Sequence, residues 1–251
     1  MLILLSPAKN VNESRAAGKA STAPRFLDEA EELATVARTW SADEISQIMK
    51  VSASLAALNV DRFASWTRDG DCAAGLLFDG DVAKELEYAT LDADAQNSAS
   101  RRLRFLSGLY GLLRPTDGVH PYRMEMGRKI PGHSAGTLYK FWGDKISAAV
   151  AEDAAAAGTR TVLNLASEEY GKAVRPSALG DVAMVSPRFE EQSGGKRRVI
   201  GVAAKRARGA MARWVLQTGA EDAADLRSFD VGGYAIDPGA SDAGQLVFVR
   251  G

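Results

Sequence analysis

The chain opens on an unbroken apolar stretch, Met1-Leu2-Ile3-Leu4-Leu5, that stops at Ser6-Pro7-Ala8-Lys9. No other feature limits the fold as strongly. A run this short, closed by proline, is not a helix and reads as a strand buried on both faces. Such a strand needs paired neighbours and cover above and below. Residues 161–164 (Thr-Val-Leu-Asn) and 182–187 form runs of the same kind. The opening run is also far too short to span a membrane, and no basic segment precedes it as in a signal peptide.

The cover is predicted to be helical. Leu27, Ala30, Leu33, Ala34 and Ala37 recur at helical spacing. Ser41 with Glu44 is a capping-box pattern that leads into Ile45, Ile48 and Met49. After Lys50-Val51-Ser52 a further helix places Leu55, Leu58, Phe63 and Trp66 on one side. Together, residues 42–66 form a helical hairpin candidate. Residues 10–24 read as a polar loop and 74–78 as a short apolar run turned by Asp79-Gly80-Asp81. Residues 104–113 read as one buried strand in which Gly108 and Gly111 permit close backbone approach. Residues 122–126 alternate as a strand would. Leu138, Phe141, Trp142, Ile146, Ala149 and Val150 predict one long helix ending near Gly158. Ser167 is placed to cap a helix with an acidic first turn. Residues 188–201 read as a hairpin turning at Ser193-Gly194-Gly195, 203–217 as a helix, and 232–236 and 245–249 as closing strands.

Strands and helices are interspersed without strict alternation, which predicts an α+β fold: a mixed central sheet surrounded by helices. No repeat or linker divides the 251 residues, so a single compact domain over 1–251 is expected. The one cysteine, Cys72, excludes an intrachain disulfide and suits a reducing, cytoplasmic setting. His120 and His133 belong to no metal-ligand pattern, and there is no GxGxxG, P-loop or GxSxG motif. No metal and no cofactor are expected.

A net charge of −1 seems to exclude a polyanion partner, but the charge is unevenly spread. Residues 28–95 hold 15 acids and 5 bases, whereas 96–148 hold 3 acids and 9 bases. Residues 192–220 contain 7 bases and no acid. On a helical projection of 203–217, Lys205, Arg206, Arg208 and Arg213 share one face. Gly209 lies in the middle of that face, where it would let a ligand backbone come close. An anion-binding role follows from this pattern.

Polar residues also gather where strands end, the usual ligand position in sheets with parallel strands. Ser6 and Lys9 follow the first strand, Asn164 and Ser167 follow the run at 161–164, and Asp81 follows the run at 74–78. Arg123 and Glu125 alternate, so they face one side. Lys9, Asp81 and Glu125 are the candidate catalytic residues; Lys9 would serve as nucleophile or phosphate ligand. The bland alternative pairs Lys9 with Asp81 or Glu125. A third reading uses Asp79, Asp81 and Glu125 as ligands for a hard ferric ion. Tyr122, Tyr139 and Trp142 are candidates for stacking on a base.

At these residues the chain resembles the YaaA (UPF0246) family of bacterial peroxide-stress proteins. The resemblance runs from Met1 through Lys9 essentially to the C-terminus. It is carried by Phe78-x-Gly80-Asp81-Val82, by Leu106-Ser107-Gly108-Leu109-Tyr110-Gly111-Leu112-Leu113-Arg114-Pro115 and by Pro121-Tyr122-Arg123-Met124-Glu125-Met126-Gly127. Leu138-Tyr139-Lys140-Phe141-Trp142-Gly143-Asp144, Asn164-Leu165-Ala166-Ser167-Glu168-Glu169-Tyr170 and Ala204-Lys205-Arg206-Ala207-Arg208-Gly209 continue it. Ala83 stands where the family usually has Tyr. The resemblance implies a helix-hairpin-helix element within the domain, at 42–66 or around Gly108-Leu109-Tyr110-Gly111. It further implies a positively charged cleft, binding of double-stranded or bulged DNA, and limitation of iron-dependent damage under hydrogen peroxide. Phosphate contacts are then expected from Lys205, Arg206 and Arg208, with Ser6, Arg114, Arg123, Lys140, Asn164, Ser167 and Lys172. The alternative is an enzyme acting on a nucleobase or nucleotide in that cleft. A monomer is expected.

Overall fold

A computed structural model describes residues 1–251. The strands are β1 (Leu2–Leu5), β2 (Cys72–Ala73), β3 (Leu103–Ser107), β4 (Gly111–Leu113), β5 (Gly118–Val119), β6 (Thr161–Asn164), β7 (Ala183–Ser193), β8 (Lys196–Arg198), β9 (Ala235–Ile236) and β10 (Gln245–Arg250). Eight build one mixed sheet in the order β4-β3-β1-β6-β7-β10-β9, with β8 appended to β7. β1, β3, β6, β7 and β10 run parallel to their neighbours in this set, while β4, β8 and β9 are antiparallel additions. β2 and β5 form a separate two-stranded ribbon.

β1 lies between β3 and β6, which is why its sequence is apolar without alternation: Leu2 through Leu5 are all fully buried. Eleven α-helices cover the sheet, and a single continuous cluster of 65 buried residues joins both layers. The fold is therefore a single α+β domain with a mixed sheet. No helix is long and apolar enough to cross a membrane.

Several expected elements take a different form. The stretch 104–113 is not one strand but a hairpin, β3 and β4, turned at Gly108-Leu109-Tyr110. That turn rules out Gly108–Gly111 as a helical DNA-binding hairpin. The tight approach foreseen at Gly108 is real: its Cα faces the Met124 carbonyl so closely that no side chain fits between them. The strand expected at 122–126 does not form: residues 121–125 join no sheet and 126–127 turn. The long helix from Leu138 breaks into Leu138–Trp142 and Lys145–Ala156, because Gly143 turns the chain at φ 50. The run at 74–78 forms a one-turn helix, Ala74–Leu77, not a strand. Within the loop at 10–24, Asn12 caps another short helix, Glu13–Ala16.

Helices Ala42–Met49 and Ala53–Ala64 do pair as a hairpin, and the Ser41–Glu44 capping box forms as expected. Both N-termini are closed by their own serines, Ser41 and Ser52, and the turn residue is Lys50 at φ 56, not glycine. The pair is an αα-hairpin on the core. Its buried stripe is Ala56, Asn59 and Phe63, so Leu55 and Leu58 point outward at 38% and 42% exposure, against the expected face.

Candidate functional site

β1 and β6 are adjacent and parallel, so their carboxyl ends open side by side. The chain leaves β1 at Ser6-Pro7-Ala8-Lys9 and leaves β6 toward Ser167. The two exits are tied together. The Ser167 amide donates to Ser6 Oγ at 2.8 Å, and the Ser6 hydroxyl donates to Ser167 Oγ at 3.2 Å. Ser167 precedes the acidic turn Glu168–Gly171 as foreseen, but its hydroxyl does not cap that helix. The Ser6 bond occupies an acceptor site on Ser167 Oγ and leaves its proton free to donate into the space beside it.

That space is a cavity of about 460 Å³. The wall helix Asp81–Leu86 and the long basic helix Gly201–Thr218 close its far side. Eight residues singled out in the sequence meet there: Ser6, Lys9, Asp79, Asp81, Glu125, Ser167, Lys205 and Arg208. Glu168, Glu169 and Tyr170 also line it. The charged lining is thus three cations and five carboxylates, not a uniformly positive surface.

The pairing of these charges defines what remains available. Glu125 is buried and held by two guanidinium groups, Arg123 Nε at 2.9 Å and Arg128 Nε at 3.0 Å. Burial alone would raise its pKa, but the two arginine hydrogen bonds outweigh burial and hold the carboxyl below the usual value. Glu125 is therefore a fixed anion, suited to orienting neighbours and poorly suited to donating a proton. Glu168 pairs with Lys172 at 2.8 Å, and Glu169 accepts the Gly127 amide. By contrast Lys9, Asp81, Lys205 and Arg208 make no side-chain ion pair or hydrogen bond. The expected Lys9 ion pair with Asp81 or Glu125 does not form. Burial pushes the Arg208 guanidinium pKa down, the sign of a cation deprived of water with no partner to replace it. Tyr170 is buried in the wall and its hydroxyl pKa is driven well up by burial.

Other expected residues lie elsewhere. Asn164 and Lys172 line a neighbouring open groove of about 410 Å³, which shares Glu168 with the cavity. Asn164 is already used, donating to Ser186 Oγ and accepting the Ala166 amide. Arg123 and Tyr122 border a small crevice behind Pro7 and Glu125. The Tyr122 hydroxyl lies 2.5 Å from Ser107 Oγ, inside the core. Trp142 is fully buried with its Nε1 donating to the Gly108 carbonyl, so neither ring can stack on a base. Tyr139 anchors the Glu169 carbonyl. Arg206 faces outward beside Glu85 at 3.9 Å, and Lys140 is exposed away from the cavity lining. Arg114 follows β4, which runs antiparallel to β3, and so sits at the opposite end of the sheet. Asp79, Asp81 and Glu125 do not gather into a group of three or more side chains able to hold a metal ion.

Gly209 is not an opening for a ligand. It packs on the wall helix, with the Val82 carbonyl where a side chain would stand. Sequence reasoning missed Arg128, whose i,i+3 spacing from Glu125 was the available signal, and it missed Glu169 and Tyr170 as lining residues.

The fold and site define a class: a single-domain α+β protein with a polar, mixed-charge ligand cavity where parallel strands end. Comparison with known sequences places it further. A family model described as "Peroxide stress protein YaaA" matches residues 1–240. A UPF0246 protein of Ruegeria sp. (strain TM1040) is 66% identical over 251 residues, covering all of both chains. UPF0246 proteins of Idiomarina loihiensis and Cupriavidus metallidurans are each 42% identical, covering all of this chain and 98% of theirs. The chain belongs to the YaaA peroxide-stress family.

Proposed function

We propose that the protein serves the peroxide response by receiving one nucleotide of distorted DNA in the cavity at the ends of β1 and β6. The observation that carries this reading is the set of unpaired charges lining it: Lys9, Lys205 and a half-buried Arg208, with Asp81. Three free cations suit a phosphodiester, and Arg208 has lost water that an anion would replace. Asp81, acceptor-only when ionised, suits the N–H edge of a base. A volume of about 460 Å³ fits a nucleotide-sized guest and not a duplex. DNA would therefore enter as a bulged or flipped nucleotide, which favours distorted over intact duplex.

Fluorescence anisotropy with a single-nucleotide bulge, a matched duplex and the free deoxynucleotide tests the reading. The bulged duplex is expected to bind best, with affinity falling steeply between 50 and 200 mM salt, as counterion release requires. Arg208→Ala should weaken it by roughly tenfold or more, on the scale of a charge-assisted bond of about 1.5–3 kcal/mol. Equal affinity for bulged and matched duplex, unchanged in Arg208→Ala, would refute it.

A second reading is favoured by the five carboxylates that line the cavity: chemistry on the bound nucleobase, with Lys9 as nucleophile and Asp81 as base. Borohydride trapping of a covalent adduct on abasic DNA, abolished in Lys9→Ala, would support it; no adduct on such DNA would remove this version.

A further inference from the structure

Six large apolar side chains are exposed on the molecule, and three of them stand at positions 199, 200 and 202. Val199 is 45% exposed, Ile200 37% and Val202 52%. They join β8 to the first turn of the long basic helix. Exposed apolar residues grouped in this way mark a contact surface more often than isolated ones do.

Their surroundings indicate the partner. β7 and β8 form a two-stranded ribbon through Glu191↔Arg198, Gln192↔Arg197 and Ser193↔Lys196. All three β8 side chains are exposed. Arg197 is tied to Asp237, but Lys196 and Arg198 have no hydrogen-bond or ion-pair partner. No acid occurs from residue 192 to 220, so the patch carries only positive charge in its own segment. The same helix then leads into the cavity. At 1.5 Å per residue, Val202 stands about 9 Å along the axis from Arg208. Val202 also lies one turn before Lys205, which lines the cavity, so the patch borders the cavity mouth.

We propose that Val199, Ile200 and Val202, flanked by Lys196 and Arg198, form an apolar wedge that presses into the base step beside the nucleotide held in the cavity. This rests on the reading of the cavity given above. Wedges of aliphatic residues unstack a step and bend the duplex, and cations beside them hold the flanking phosphates. The arrangement explains why apolar side chains lie in water next to a cationic ribbon: the ribbon supplies long-range attraction and the wedge acts on contact. An anionic membrane is the other surface such a patch could meet. The continuity of the patch with Lys205 and Arg208 of a concave site favours nucleic acid.

The test uses the full chain and a bulged duplex carrying 2-aminopurine in the base pair next to the bulge. Wild type is expected to raise 2-aminopurine fluorescence as the step unstacks. The triple variant Val199→Ser/Ile200→Ser/Val202→Ser should abolish that rise and bind at least about fivefold more weakly, the scale on which removing one base-facing side chain acts. It should melt as wild type does and keep its affinity for the free deoxynucleotide. Lys196→Gln/Arg198→Gln should flatten the slope of log affinity against log salt by about two, one for each phosphate left without its cation. If the triple variant binds and unstacks as wild type while Arg208→Ala does not, the wedge is wrong and the cavity reading stands. If wild type binds no bulged duplex, both fall. If wild type binds phosphatidylserine vesicles, and the triple variant does not while binding DNA unchanged, the patch is a membrane surface and the wedge is overturned.

Discussion

Gly209→Ala is the sharpest probe of how the cavity is held open at its working width. Residue 209 lies within an eighteen-residue helix, where alanine is normally preferred to glycine by about 1 kcal/mol. Considered alone, then, the substitution stabilises. The packing says the opposite. A Cβ at 209 would stand 2.9 Å from Glu85 Cβ and 3.0 Å from the Val82 carbonyl carbon, and nearer still to the Val82 oxygen. Ordinary carbon contacts lie near 3.5–4.0 Å, so the two helices would have to part by about 1 Å. Two of the nearest atoms are backbone and cannot rotate away. Parting the helices also pulls on Arg213, whose Nη1 donates to the carbonyls of Leu86 and Glu87 and to Thr90 Oγ1. Overpacking of this kind costs about 1–3 kcal/mol, and a strained charged bond adds roughly 1 more. Set against the gain in helix propensity, the net is a loss of about 2 kcal/mol, or roughly 4–8 °C in Tm for a domain of this size. Calorimetry or thermal circular dichroism reads this directly. Because Asp81 and Arg208 ride on the two helices, affinity for the bulged duplex should fall with stability. A Gly209→Ala protein that melts at or above the wild-type temperature would refute the reasoning, since helix propensity would then have won.

Three further perturbations test other parts of the structure. Glu125→Gln removes the anion between Arg123 and Arg128 and should cost about 3 kcal/mol at pH 7 in urea titration, as breaking a buried pair does. Because the folded-state pKa of Glu125 is lowered, its contribution is fully present above the ordinary value of 4.5 and disappears as pH falls through the lower folded value. The gap between the two proteins should therefore narrow as pH falls below 4.5, and a constant gap down to pH 3 would contradict this. Asn59 is buried with Nδ2 donating to the Leu55 carbonyl and Oδ1 left without a partner. Asn59→Leu should stabilise by about 1 kcal/mol, the cost of an unmet buried acceptor, and a clear fall in Tm would show that Oδ1 is satisfied. Cys72 is buried and its thiol pKa is pushed up to about 11, by burial first and then by Asp71. The native protein should react with neither Ellman's reagent nor hydrogen peroxide at pH 7 until unfolded; fast native oxidation would make Cys72 a sensor.

The parts of the fold set by local chemistry were legible in the residues. β1 and β6 could be read because a central strand buried on both faces has no other way to look, and the Ser41 capping box because both partners lie within one turn. The β7–β8 turn could be read from its glycine pair. What could not be read was decided by tertiary contacts. Residues 104–113 divide into β3 and β4 because Tyr122–Glu125 crosses over Gly108, a contact no periodicity encodes. Leu55 and Leu58 look like a core face, yet the helix turns its Ala56–Asn59–Phe63 stripe inward. At the site, residues that directly follow β1 and β6 were found because strand ends converge by topology. Arg114 was misplaced because its strand runs the other way, and Trp142 because an aromatic in a motif serves the core as readily as a ligand.

The charge pattern shows the same limit most clearly, and it bears on function. Segment totals count charges without their partners. In the basic stretch 96–148, Arg104 is bound to Asp153, Arg123 and Arg128 share Glu125, Lys145 meets Glu29, and Arg102 donates to the Met1 and Ala220 carbonyls. In 192–220, Arg197 is held by Asp237, while Arg206 and Arg213 face Glu85 and Glu87 of the acidic stretch. Most of the bases in these two stretches that meet a partner are thus engaged inside the fold, three of them by acids of 28–95: Glu29, Glu85 and Glu87. The cations of 192–220 that survive without partners are Lys196 and Arg198 on the ribbon and Lys205 and Arg208 at the cavity. Four such charges along one continuous segment cannot make a broad electrostatic trough, but they can follow a single strand of phosphates past a wedge and into a pocket. A binder built in this way should be selective for distorted DNA and weak on intact duplex, because most of its basic residues are already engaged in holding the fold.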